Sequence, residues 1–135
     1  MPQSQFDMSE VRALAADLLG SNGPVREGAK KSIKAGATRT KAESVKTIRG
    51  ALSGSKSYAK HYPRSIDYDI LDDGLAAEIG PSIGKRQAFL GKILERGTAT
   101  SRPYPHLIPA AEAEQERIAD GLVEAVVRAL EGRRS

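Results

Sequence analysis

The chain has 135 residues, a mass of 14.4 kDa, no cysteine and no tryptophan, and a net charge of +4. That length suits one domain over 1–135, and the missing cysteines exclude a disulfide scaffold, thiolate chemistry and zinc–sulfur sites. Leu, Ile, Val and Phe make up about a fifth of the chain, just above the level at which disorder is the better expectation. The core should therefore be small and aliphatic, and self-assembly would offset its marginal stability.

The charge is unevenly spread. Between Pro24 and Arg64 eleven Lys and Arg face two Glu, whereas Ser65 to Gly80 holds five acids and no base. Such a basic block points to nucleic acid or an acidic protein face, against the plainer reading of a solvated helix face. The N-terminus shows no basic segment followed by an apolar run, so no secretory signal is expected. No window approaches the length of a membrane span, so no membrane partner is expected.

In chain order, Asp7 and Glu10 have capping-box spacing, with Phe6 and Val11 as a hydrophobic staple. Val11, Leu14, Ala15, Leu18 and Leu19 then form one apolar stripe, ended by Gly20. The turn SNGP leads to a long basic helical segment over 25–52, with a break expected near Gly36 to Thr40. Residues 50–65 carry no clean period and read as an irregular excursion.

The period then becomes two. Ile66, Tyr68 and Ile70 alternate with Ser65, Asp67 and Asp69, Asp72-Asp73-Gly74 marks a turn, and Leu75, Ala77 and Ile79 return. This predicts an antiparallel hairpin over 65–80. A short helix follows near Ala88–Leu94, and a final one starts near Pro109 or Ala110 with Ile118, Leu122, Val126 and Leu130 as its stripe. Its Glu-rich start and Arg-rich end suit the helix dipole. N-terminal helices and a long C-terminal helix flanking a small antiparallel sheet define an α+β fold.

No catalytic constellation stands out. Gly80-Pro-Ser-Ile-Gly84-Lys85 is one residue short of a phosphate-binding loop, has Arg86 where Ser or Thr would hold magnesium, and follows a hairpin. His61 and His106 are the only imidazoles and form no metal-ligand pair. Ser65 or Ser101 with a histidine can be drawn as a nucleophile and base, but no Gly-x-Ser-x-Gly elbow supports it. Tyr58 and Tyr62 beside the basic block offer a stacking surface for single strands, though phosphate contact is the better fit. No cofactor and no metal are expected.

Four segments in order, HYPRSIDYDI (61–70), AAEIGPS (76–82), QAFLGKILERGT (87–98) and PYPHLIPAAEAE (103–114), resemble the tail-component or head–tail joining proteins of long-tailed bacteriophages, especially the actinobacteriophage versions. The match covers roughly residues 61–130. Two features depart from that pattern: Arg96 stands where an aromatic is usual, and GSKSYAKHYP replaces an Asp-Thr-Gly turn before the first strand.

The resemblance implies a non-enzymatic virion protein of the neck, made in the host cytoplasm. It would form a six-fold ring between the head-closing connector (stopper) and the tail terminator or tail-tube protein. Double-stranded DNA would be cargo passing through the channel. A tail terminator ring and a small basic nucleic-acid-binding module are the competing readings, with a Ser–His hydrolase far behind.

Residues 94–110, with Pro103, Pro105 and Pro109 fixing φ, are expected to form a stiff extended arm. Glu95, Arg96, Gly97, Thr98, Tyr104 and His106 complete the expected subunit or partner interface, with Tyr104 and His106 presented outward. Lys30, Lys31, Lys34, Arg39, Lys41, Lys46 and Arg49 are expected to meet an acidic partner, such as the hairpin of a neighbouring subunit, or DNA in the channel.

Overall fold

The computed structural model describes residues 23–52 and 59–134, with side-chain surroundings up to Glu131. The helix expected over 7–20, Tyr58 and most of the irregular excursion lie outside the described residues. Helix α1 (Gly23–Leu52) is followed by a short 3-10 turn at Tyr62–Ser65 and the strands β1 (Ile66–Leu71) and β2 (Ala76–Pro81). A 3-10 turn at Asp72–Gly74 joins the strands, another at Ala88–Leu90 leads into α2 (Gly91–Arg96), and α3 (Leu107–Arg134) is the last described element. The fold is α+β, with one two-stranded antiparallel sheet.

The expected break in α1 does not occur. Gly36 and Ala37 are buried inside one continuous helix, and the reason lies in α3. The two helices run antiparallel, and Gly28, Ser32 and Gly36 of α1 face Ala125, Gly121 and Ile118 of α3. A Cβ on Gly28 would stand 2.5 Å from that of Ala125; one on Gly36 would strike Ile118, and one on Gly121 would strike Ser32. Ser32 Oγ donates to the carbonyl of Ile118 at 3.1 Å. Small residues let the backbones approach, so tertiary packing outweighs the helix-propensity cost of about 1 kcal/mol per glycine.

Helix α1 also carries the hairpin, which explains its weak amphipathic pattern: it buries two faces. Lys41 pairs with Asp67 at 3.2 Å near the base of β1, and Arg26 pairs with Asp73 at 2.9 Å at the tip. The register runs from Ile66 opposite Pro81 to Leu71 opposite Ala76. Asp72, Asp73 and Gly74 all have positive φ, and Asp and Gly are among the residues that tolerate it. The expected alternation fades toward the tip, where Ile70 is 40% exposed, because two strands over one helix cannot cover the whole face.

The main apolar cluster is small, as the composition predicts. It joins Ile48 and Leu52 of α1 to Ala59, Tyr62, Ile66, Leu90 and Leu94, with Val45, Ile79, Tyr104 and Leu107 packed against it. The short helix splits its expected stripe: Leu90 and Leu94 enter this core, while Phe89 and Ile93 face outward.

Gly121→Leu should force α1 and α3 apart and cost about 1–3 kcal/mol of stability in denaturant unfolding. Among the described residues nothing lies within 4 Å of a Cβ placed on the exposed Gly50 of α1, so Gly50→Ala should raise stability by about 0.5–1 kcal/mol. Equal effects at the two positions would remove the seam as the cause.

Candidate functional site

Between α2 and α3 the chain does not form the expected extended arm. Gly97, at φ 75°, donates its N–H to the Ile93 carbonyl at 2.7 Å and turns the chain out of α2. A side chain there would collide with Ser101 O and Pro103 N, at 2.7 and 2.8 Å from a Cβ, so the turn requires glycine. Thr98 N–H donates to Ser101 O at 2.8 Å, and Tyr104 N–H donates to Leu94 O at 2.6 Å. The segment folds back upon the helix it has just left.

That return path puts His106 inside the protein. The residue is 1% exposed, which corrects the expectation that it is presented to a partner. Its Nδ1 lies 2.8 Å from the Tyr104 carbonyl and so carries the hydrogen, while Nε2 accepts from the Tyr62 hydroxyl at 2.8 Å. The Tyr62 and His106 rings meet edge to face, with centroids 5.4 Å apart. Burial, reinforced by the nearby Glu95 carboxylate, pushes the Tyr62 phenol well above its usual range. It therefore remains a donor. Tyr62 is fully buried, so it cannot stack on a nucleic-acid base as the sequence allowed.

Glu95 is the hub of this junction. Its Oε1 accepts the N–H groups of His106 at 3.0 Å and Leu107 at 2.8 Å, and Oε2 accepts that of Ile108 at 3.1 Å. These are donors that the start of α3 cannot satisfy within the helix, and the carboxylate also suits the positive end of the helix dipole. Oε1 also lies 3.1 Å from His106 Nδ1. Burial alone would raise the Glu95 pKa, but the three N–H groups and His106 outweigh it, and the net direction is downward.

The other interface candidates sit around this junction. Arg96, Thr98, Pro103, Pro105 and Pro109 are exposed, and Tyr104 is half-buried beneath the Arg102 guanidinium, 5.1 Å from its ring centroid. Of the nine candidates, Glu95 and His106 are thus internal.

The basic candidates also divide. Lys30 lies 3.3 Å from Glu27 and 3.9 Å from Asp73, Arg39 pairs with Glu114 at 2.6 Å, and Lys41 pairs with Asp67. Lys31, Lys34, Lys46 and Arg49 are exposed and make no ion pair among the described residues. The pairing expected between the basic segment and a neighbour's hairpin is, for Asp67 and Asp73, made within the chain. The Tyr68 N–H, then Lys85 and Lys41, hold the Asp67 carboxyl well below its usual range, and Arg26 and then Lys30 lower that of Asp73.

Sequence reasoning missed a second cluster. The 61–65 and 82–87 segments are clamped by Ser82 N–H to Ser65 O and by His61 N–H to Gln87 Oε1, both at 2.8 Å. Between them lies a concavity of about 290 Å³ lined by His61, Arg64, Ser65, Lys85 and Arg86. The one signal in the sequence was the incomplete phosphate-loop pattern ending in Lys85-Arg86. Among the described residues no group of His, Cys, Asp or Glu could hold a metal ion, and no helix is long and apolar enough to cross a membrane.

Glu95→Gln should lower stability by about 1–3 kcal/mol near neutral pH, since one acceptor oxygen becomes a donor group facing donors. Because the folded-state pKa of Glu95 is lowered, its contribution is present above the unfolded-state value and is lost as pH falls through the folded-state value. The gap between wild type and Glu95→Gln in urea unfolding should therefore shrink as pH is lowered below the carboxylate range. Tyr62→Phe should cost about 1–2 kcal/mol by leaving His106 Nε2 without its donor, and a double-mutant cycle with His106→Leu should show coupling between the pair.

Comparison with protein-family models, with curated proteins and with solved structures returns no match to this chain.

Proposed function

We propose that this chain is a structural subunit of a bacteriophage neck, forming a ring that joins the DNA-filled head to the tail. The starting point is the ordered likeness of residues 61–114 to head–tail joining proteins. Those segments belong to one physical unit: the first meets the second through Ser82 and Ser65, the third through Gln87 and His61, and the fourth through Tyr62 and His106. Glu95 then ties the third segment to the fourth.

The observation that carries a ring is a pair of unlike exposed apolar surfaces. One lies on the segment after β2, where Ile83 is 99% and Phe89 78% exposed, and Ile93 lies on the same stretch. The other lies on the C-terminal half of α3, at Val123, Val127 and Leu130. A head-to-tail ring requires two different surfaces on each subunit, one meeting the other on its neighbour. The thin core makes such burial favourable, at roughly 25 cal/mol per Å² of apolar area removed from water. Exposed Lys31, Lys34, Lys46 and Arg49 are then left for an adjacent acidic ring or the DNA in the channel. A tail terminator ring would use the same surfaces.

Phe89→Ser and Val127→Ser subunits should each fold but fail to assemble, measured as copy number in particles and as mass in a reconstituted complex. Mixing the two variants should yield pairs through the one intact junction and no closed ring. Normal infectious particles carrying either variant would overturn the reading. Lys31→Glu with Lys34→Glu should stop head–tail joining while leaving the subunit ring intact.

A further inference from the structure

The cluster at the base of the hairpin has a composition that the ring reading does not use. His61 and Arg64 come from the turn before β1, and Lys85 and Arg86 from the loop after β2. Arg64, Lys85 and Arg86 are exposed, and Lys60 adds a fifth basic residue beside His61. Among the described residues the acid that pairs with them is Asp67, which takes Lys85 at 3.0 Å and also Lys41 of α1 at 3.2 Å. Arg64 and Arg86 make no ion pair among the described residues. Ser65 Oγ is occupied, donating to Tyr62 O at 2.7 Å.

Gathering these cations has an electrostatic cost that, among the described residues, Asp67 relieves at Lys85 but not at Arg64 or Arg86. The clamps from Ser82 to Ser65 and from His61 to Gln87 hold the two segments together despite it. The effect is felt at His61, whose imidazole is held below its usual pKa by burial and then by Arg86, Lys60 and Arg64. An anion seated in the concavity would remove that repulsion. Two guanidinium groups favour an oxyanion that accepts forked hydrogen bonds. The concavity is open, and its cations stand on its rim, which suits a phosphate on a polymer better than an enclosed small ion.

We propose that the concavity between residues 61–65 and 82–87 binds a phosphate group of a nucleic-acid backbone, with Arg64, Arg86 and Lys85 as its ligands and His61 at its edge. Lys85 exchanges Asp67 for the phosphate on binding. The contact is to backbone alone and carries no base specificity. All its ligands come from one subunit, so binding by the isolated chain is read separately from ring formation.

The test is duplex DNA binding at several salt concentrations by the full chain, its Arg64→Gln/Arg86→Gln variant, and a charge-matched Arg117→Gln/Arg128→Gln control. All three are checked for unchanged thermal unfolding. The Arg64/Arg86 variant should bind about tenfold more weakly, with a log–log salt slope shallower by about two, and the control should match wild type. Equal weakening in both variants would mean a net-charge effect and overturn the site, as would unchanged binding by the Arg64/Arg86 variant. In parallel, inorganic phosphate should shift the His61 ring resonances, with His106 as the buried reference, and duplex DNA should displace it. If phosphate shifts His61 but DNA does not compete, the site takes a free anion and the backbone assignment fails.

Discussion

One carboxylate organises the C-terminal half of this protein. Glu95 closes the last turn of α2 and accepts the first free N–H groups of α3, so the end of one helix is also the cap of the next. This requires the eleven residues between Glu95 and Leu107 to fold back, which Gly97 and the Thr98–Ser101 turn accomplish. Once the chain has returned, His106 has a single place to go. It enters the core beside Tyr62, with one ring nitrogen satisfied by a carbonyl and the other by a phenol. A buried imidazole without both partners would cost more than it contributed.

A second constraint acts on the long helices. The seam of Gly28, Ser32 and Gly36 against Ala125, Gly121 and Ile118 brings α1 and α3 into close contact with little apolar volume between them. Larger side chains are therefore concentrated elsewhere, in the cluster around Ile48, Tyr62 and Leu94. The outer face of α3 is left with Val123, Val127 and Leu130 exposed. A protein built this way holds its shape through backbone proximity and hydrogen bonds, and leaves part of its apolar surface exposed.

The charge pattern has a corresponding division. Acidic and basic blocks separated in sequence meet in space, as the hairpin lies along α1 and Asp67 and Asp73 pair with its cations. Exposed pairs of this kind contribute little stability, and their effect is to align the hairpin. Among the described residues, Lys31, Lys34, Lys46 and Arg49 of α1, together with Arg64 and Arg86, make no such pair.

Local patterns determined what local physics controls. Period-two alternation and Asp72-Asp73-Gly74 specified the hairpin and its turn, and four-residue spacing specified the long helices, because backbone preference and one-sided burial act over a few residues. The same reasoning predicted a break at Gly36 and an outward-facing His106, and both were wrong for a shared reason. A glycine in a helix and a histidine between prolines look unfavourable or functional until their distant neighbours are known. Ile118 and Tyr62 are those neighbours, far away in the chain, and only tertiary packing supplies them. The cation cluster likewise joins residues about twenty apart through backbone clamps that no spacing rule encodes. Periodicity and turn chemistry determined the elements, whereas the long-range contacts decided which polar residues are structural and which remain exposed.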